Sequence, residues 1–306
     1  NASKGIFAQA GNIGTLIIGE DLIGIGNCAF YECTGLDSIS FGNGIKVIGN
    51  YAFAGCGSLR DVAIPDLCSL GQIGDHAFYS CTNLTKFTLP INVSYVGDYA
   101  FAECRFLSDF VMCNYGDAND RSNLTELGWN VFENCETLSS LTFPANYNEA
   151  VDISLVKGCK NLRYITARSK KMTFTEKEDG DVYCFDCFKE MLSGDPVNGT
   201  FYFEGRDDST IHSFTRENCF AFSYIDYNSE TTQYEKLDKY ELTVQDPNVT
   251  GKTGRSTYVV NSNNELISST VGENVSTLEI PDPIGPYHIY NIGANIFANN
   301  CNLTMV

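Results

Sequence analysis

The sequence predicts a right-handed, curved α/β solenoid, with a parallel sheet of short strands on one face and short helical or irregular turns on the other. Three observations carry this expectation. An Ile-Gly-x-x-Ala-Phe phrase recurs at near-constant spacing, a cysteine follows it at a fixed offset, and a short alternating apolar run follows the cysteine. Units of 20–50 residues that repeat in this way stack, because none can bury its apolar side alone.

The phrase runs from Ile25 to Phe30 and returns at Ile48–Phe53, Ile73–Phe78 and Val96–Phe101, with weaker copies at Leu127–Phe132 and Ile292–Phe297. Three residues after the Phe stands Cys33, Cys56, Cys81, Cys104 or Cys135. Cys159 takes the same place where Val156 replaces the Phe, and Asn300 takes it after Phe297. Successive cysteines are 23, 25, 23, 31 and 24 residues apart. A Leu follows each of the six, opening runs such as Leu36–Phe41 and Leu84–Leu89, whose period of two marks a strand with its apolar residues inward. Pro65, Pro90, Pro144 and Pro281 end such runs where the ladder stops. The Gly of the phrase suits either a positive φ or a close backbone approach. The small Ala permits tight stacking, and the Phe fills the core. Extra residues fall between the strand and the Ile-Gly element, near 66–70, 114–125 and 145–150.

Read by domain, residues 1–167 are regular repeats, 168–240 degraded repeats with an insertion, and 241–306 a β segment followed by the start of a further repeat block. Ile6-Phe7 stands where Ala-Phe is expected, so the first twelve residues read as the tail of an earlier repeat in a mature or excised piece.

These motifs resemble the BspA-like, or Treponema pallidum-type, leucine-rich repeat, over residues 13–167 and again over 275–303. The resemblance implies a leucine-rich-repeat solenoid that is extracellular or on a cell surface, in host-associated bacteria and some mucosal protists, and linked to adhesion. It supplies no catalytic residues.

Bulk chemistry narrows the partners. A formal charge of −18, from 38 acidic and 20 basic residues, repels phosphate backbones and anionic headgroups, so nucleic acid is not an expected partner. No apolar run approaches the ~18–20 residues of a membrane helix, so direct membrane insertion is not expected either. A hydrophobic share of 43% supports a buried core.

Candidate chemistry is sparse. The six repeat cysteines and Asn300 read as a structural ladder of buried side chains serving loop backbone groups, although thiols in neighbouring repeats could bridge if their Cα atoms fell within ~4.4–6.8 Å. Cys184 and Cys187 form a lone C-x-x-C, with Cys219 the next cysteine, and read as packing or a local disulfide rather than a zinc or redox site. His76 is expected to be exposed on the convex side. The acidic loops around Asp117–Asp120 and Glu176–Asp181 lack calcium-loop spacing and read as solvated. Neither metal nor cofactor is expected.

The leading functional reading is a non-enzymatic scaffold binding a host or cell-surface protein or glycan. Its sites would be outward strand positions, notably Asp61, Lys86, Asp109 and Tyr164, together with the region of Trp129, the sole tryptophan. The alternatives are a spacer within a longer surface protein, or an enzyme using the 168–240 insertion.

Overall fold

The computed structural model describes residues 5–112, 122–176, 201–207, 209–218, 220–228, 233–245, 255–272, 280, 289–292 and 296. Each coil of the solenoid contributes two short strands. They run as β1 (Thr15–Ile17) and β2 (Gly24–Ile25), β3 (Ser38–Ser40) and β4 (Val47–Ile48), β5 (Asp61–Ala63) and β6 (Gln72–Ile73), and β7 (Lys86–Thr88) and β8 (Tyr95–Val96). Then come β9 (Asp109–Val111) and β10 (Glu126–Leu127), β11 (Ser140–Phe143) and β12 (Ala150–Asp152), and β13 (Tyr164–Ala167) and β14 (Thr173–Thr175). The first strand of each pair carries the I-x-I motif. These strands lie parallel and in register, Leu16 opposite Ile39 and Ile39 opposite Val62, so one apolar column faces inward.

The second strand of each pair covers the element expected to be a turn. Two residues per coil suffice for a five-stranded parallel sheet of β2, β4, β6, β8 and β10. Holding Ile48, Ile73 and Val96 in the core places their backbones at pairing distance from the next coil. Among the described residues of these coils the helical content is one 3-10 turn, Ile153–Val156, begun by Asp152, whose side chain accepts from the Ser154 N–H at 2.8 Å. The glycines after these strands serve close approach. A Cβ at Gly74 would lie 2.7 Å from the Asn50 nitrogen, and one at Gly97 2.6 Å from that of Asp75. The positive φ falls two residues later, at Tyr51, His76 and Tyr99.

Phe30, Phe53, Phe78 and Phe101 form a continuous interior column. Neighbouring rings stack with centroids 5.3, 5.3 and 5.2 Å apart, and the last three are fully buried. Beside them runs a column of thiols. Cys33, Cys56, Cys81, Cys104, Cys135 and Cys159 donate through Sγ to the carbonyls of Phe7, Phe30, Phe53, Phe78, Phe101 and Phe132, at 2.9–3.3 Å. The Phe30 carbonyl already accepts the Cys33 N–H of its own coil, so the thiol of the next coil fills its second lone pair. All six thiols are buried and free. Burial pushes the Cys56 and Cys104 thiols up to about 12, which leaves them protonated and poorly nucleophilic.

The strand ladder continues past β13 into β15 (Tyr202–Gly205). The helix α1 (Thr210–Asn218) follows, with Ser209 Oγ accepting from the His212 N–H at its start. The chain re-enters the sheet as β16 (Ala221–Asn228), parallel to β15, and then reverses. β17 (Gln233–Gln245), β18 (Arg255–Asn261) and β19 (Glu265–Thr270) form an antiparallel meander, to which β20 (Asn291–Ile292) adds in parallel. β17 runs straight across residue 240. Phe203, Phe214 and Phe222 extend the solenoid core, while Tyr240, Tyr258, Val260 and Leu266 make a second, smaller cluster. Among the described residues no helix is long and apolar enough to cross a membrane.

Candidate functional site

The outward strand positions of the first coils are mostly small or polar, with Ile17 an exposed apolar exception in β1. Ser38 Oγ donates to Thr15 Oγ1 at 3.1 Å, and Lys86 pairs with Asp109 across β7 and β9 at 3.2 Å, both side chains more than half exposed. Asp61 lies on the same face in β5, exposed. Exposed pairs of this kind shape charge but give a partner no buried anchor.

The face changes character at Tyr164. Parallel register sets Tyr164 opposite Ser140 on one side and Tyr202 on the other. The two tyrosine rings stack at 5.5 Å and 14°. Tyr240, from β17, meets Tyr202 edge-on at 5.3 Å. Lys236 closes the group. Its Nζ bonds Glu204 Oε1 at 2.6 Å, donates to the Tyr202 hydroxyl at 3.1 Å, and lies 5.1 Å from the Tyr240 ring centre. Thr166 Oγ1 donates to the other Glu204 oxygen at 2.7 Å. Burial works against the Lys236 charge, but hydrogen bonds to Glu204 and the tyrosines outweigh it and push its pKa upward. The result is a rigid step of aromatic rings and one ion pair on an otherwise shallow polar sheet.

Of the residues singled out in the sequence, Tyr164 lies in this step. Asp61, Lys86 and Asp109 share its face in earlier coils. Trp129 does not join them: it follows β10, 47% exposed, its backbone N–H donating to Asp98 Oδ1 at 2.8 Å. That bond ends a ladder in which Asn27, Asn50, Asp75 and Asp98 each accept the backbone N–H of the next coil. Asn or Asp after the Gly of the first four copies of the phrase was its visible signal. Tyr202, Glu204 and Lys236 escaped sequence reading because they lie beyond the clean repeats; alternation of Tyr202 and Glu204 about the apolar Phe203 was the available clue.

A second cluster was also missed. Glu241 is buried beneath α1, its Oε1 3.1 Å from His212 Nε2 and 2.5 Å from Arg216 Nε, its Oε2 2.5 Å from the Tyr224 hydroxyl. His212 Nδ1 lies 3.2 Å from Asp207. Burial alone would raise the Glu241 pKa, but the bonds from His212, Arg216 and Tyr224 outweigh it and hold the carboxyl at about 2. These groups satisfy one another, and the arrangement ties helix to meander. His76 is not exposed as expected: it is half-buried, stacked between Tyr51 and Tyr99.

Among the described residues no group of three or more His, Cys, Asp or Glu side chains could hold a metal ion. Cys184, Cys187, Cys219 and Asn300, the acidic loop at 117–120 and all of the other but Glu176 lie outside the described residues.

A family model described as the BspA type leucine rich repeat region matches residues 1–118 and 110–187, in six copies. No curated protein is similar enough to the chain to match. Among solved structures, a leucine-rich-repeat protein of T. pallidum is 24% identical, over 53% of this chain and 73% of that one, with a TM-score of 0.46. One from Bacteroides ovatus is 20% identical over 66% of this chain, with a TM-score of 0.43. A leucine-rich cell surface protein from Faecalibacterium prausnitzii is 18% identical over 56%, with a TM-score of 0.31. The chain spans 58% and 63% of the latter two.

Proposed function

This chain belongs to the BspA-type leucine-rich-repeat family, and from that premise we propose that it is a non-enzymatic binding scaffold, secreted or held at a cell surface, that takes a host or cell-surface protein or glycan on its strand face at the Tyr164 step. One observation carries the reading. Tyrosine and paired charge, the side chains that anchor interfaces, are concentrated at Tyr164, Tyr202, Lys236 and Glu204, whereas the preceding coils present Ser, Thr, Ala, an isolated Ile17 and Val111, and exposed ion pairs. Stacking and hydrogen bonding order these side chains before a partner arrives, which lowers the entropy cost of docking.

The test is a binding screen of the purified chain against matrix proteins and glycans, repeated with Tyr164→Ser and Tyr202→Ser. The expected result is a partner whose affinity falls about tenfold or more in each variant, as for other interface anchors. A partner bound equally well by both variants moves the site elsewhere. Failure to find any partner favours the spacer reading, in which the array holds other modules apart.

A further inference from the structure

We propose that His76 is a pH-sensitive joint: when its imidazole gains a proton in mild acid, the ring leaves its place between Tyr51 and Tyr99 and the turn from Gly74 to Tyr79 loosens. The inference does not rest on the strand-face reading, because it concerns the turns that follow the second sheet.

One position in each of three successive turns has a left-handed backbone, Tyr51 at φ 57°, His76 at 55° and Tyr99 at 54°. Their rings form a column. The imidazole stacks on Tyr51 at 4.5 Å and 14° and on Tyr99 at 4.9 Å and 21°. Tyr79 stands beside it at 5.5 Å, tilted by 52°. The backbone beneath is tied to the neighbouring coils. The Tyr51 N–H donates to the Asp75 carbonyl at 2.9 Å, and the His76 N–H to the Asp98 carbonyl at 2.8 Å. The imidazole thus fills a slot whose walls are held from both sides.

That slot suits a neutral ring. His76 Nδ1 is buried and has no hydrogen-bond partner. A neutral imidazole can carry its proton on Nε2 and leave Nδ1 a bare lone pair. An imidazolium must bear an N–H at both nitrogens, and the one at Nδ1 would meet no acceptor. Two carboxylates, Asp75 of its own turn and Asp98 of the next, favour the charge through space. Both are bonded elsewhere. Asp75 Oδ1 accepts the Asp98 N–H at 3.1 Å and the Tyr95 hydroxyl at 3.3 Å, and its Oδ2 accepts the Asn50 amide at 3.2 Å. Asp98 Oδ1 accepts the Trp129 backbone N–H at 2.8 Å. Tyr51 and Tyr99 offer their ring faces. A ring face attracts a cation, but the N–H bonds of an imidazolium lie in its own plane, where stacked faces give no acceptor. Burial outweighs the two aspartates and holds the His76 pKa below the ordinary 6.5.

The folded protein therefore binds this proton less tightly than the unfolded chain does. The contribution of His76 is complete above 6.5 and is lost as pH falls through the lower folded value. Glu241 keeps its charge down to about 2, so mild acid acts on the column while the network under α1 stays ionised.

Histidine C–H resonances of the intact chain, followed by NMR from neutral to mildly acidic pH, test this. The chain has three histidines, and the signal missing from His76→Tyr identifies this one. Tyr51 and Tyr99 hold the same backbone conformation, so that variant continues the column with a ring that gains no charge in this range. At neutral pH the His76 signal should be displaced by the ring currents of both tyrosines. It should titrate with a midpoint below 6.5 and, once protonated, move to the position of a solvated imidazolium. Amide exchange over residues 73–80, corrected for its intrinsic pH dependence, should quicken severalfold across the same range in the wild type and not in His76→Tyr. A protonated signal that keeps its ring-current displacement overturns the proposal, because the ring has then stayed in place. So does a midpoint at or above 6.5, or an acid-dependent quickening that persists in His76→Tyr. All three readouts are independent of Tyr164→Ser.

Discussion

Between Thr15 and Thr175 the main stabilising contacts recur from coil to coil, whereas between Thr210 and Thr270 the decisive contacts occur once. In the coils, Phe stacks on Phe, a thiol reaches the preceding coil's Phe carbonyl, and Asn or Asp accepts the next coil's backbone N–H. No member is individually essential, because its neighbours repeat its role, but each couples two coils. In the antiparallel end, one buried carboxylate, Glu241, gathers an imidazole, a guanidinium and a phenol. Repetition spreads stability along a column; a singular network concentrates it at a point. Removing one residue should therefore loosen coils on both sides in the first region and release one module in the second.

The largest effect is expected at Phe101. It stacks on Phe78, meets Phe87 and Phe110 edge-on, and is fully buried. Phe101→Ala should destabilise by ~3–5 kcal/mol in denaturant unfolding, the range for emptying a buried Phe site. Phe7, at the exposed end of the column and 48% accessible, should lose far less on the same change. Equal losses would mean that the column does not act as a unit.

Glu241→Ala comes next. It strips the shared acceptor from His212, Tyr224 and a half-exposed Arg216 that can turn to water, so the cost should be ~3 kcal/mol, the low end for a broken buried pair. Hydrogen exchange should quicken in β16–β18 and stay slow in β3–β8; quickening throughout would mean that the two regions unfold as one. The same site sets an acid dependence. The folded carboxyl titrates near 2, against ~4.3 unfolded, so the folded state binds its proton less tightly. Its contribution is complete above the unfolded value and drains as pH falls through about 2. Glu241→Gln should flatten the acid-induced loss of meander protection over that window.

The thiol column gives a smaller effect. Cys104→Ala removes a buried side chain and its bond to the Phe78 carbonyl, for ~1–2 kcal/mol. Cys104→Ser restores a donor and should recover part of that loss. In the native protein, thiol reagents should label Cys56 and Cys104 only at the rate of unfolding, because burial keeps both protonated.

How much of this was legible follows from the same contrast. Period and phase located Phe30 to Phe101 and the strands through Ala167, since a contact that recurs in space recurs in sequence. The second sheet was hidden because two residues per coil are too few for a period-two signal, and Gly74 marked close approach only once the neighbouring coil was in place. At the candidate site, Tyr164 was readable as an outward strand position. Tyr202, Glu204 and Lys236 were not, because Lys236 reaches the face only after β16 and β17 fold back, a long-range event with no repeat to announce it. Glu241, at the start of the β segment expected from residue 241, gave no sign of its buried partners for the same reason.

The smallest effect tests whether the strand face is as uneven as its chemistry. Lys86 and Asp109 form a pair with side chains 62% and 51% exposed, well outside the tyrosine step. In water such a pair gains little from attraction that hydration does not already supply, and both side chains lose rotamer freedom in holding it. Swapping the charges, as Lys86→Asp with Asp109→Lys, should shift stability by no more than ~0.5 kcal/mol. A partner seated on the Tyr164 step should bind the swapped protein as it binds the wild type. A partner lying along the whole face would meet the altered charge pattern and bind with a changed salt dependence. Measuring affinity for one partner across ionic strengths, in the swap and in Tyr164→Ser, would then separate a local anchor from a distributed surface.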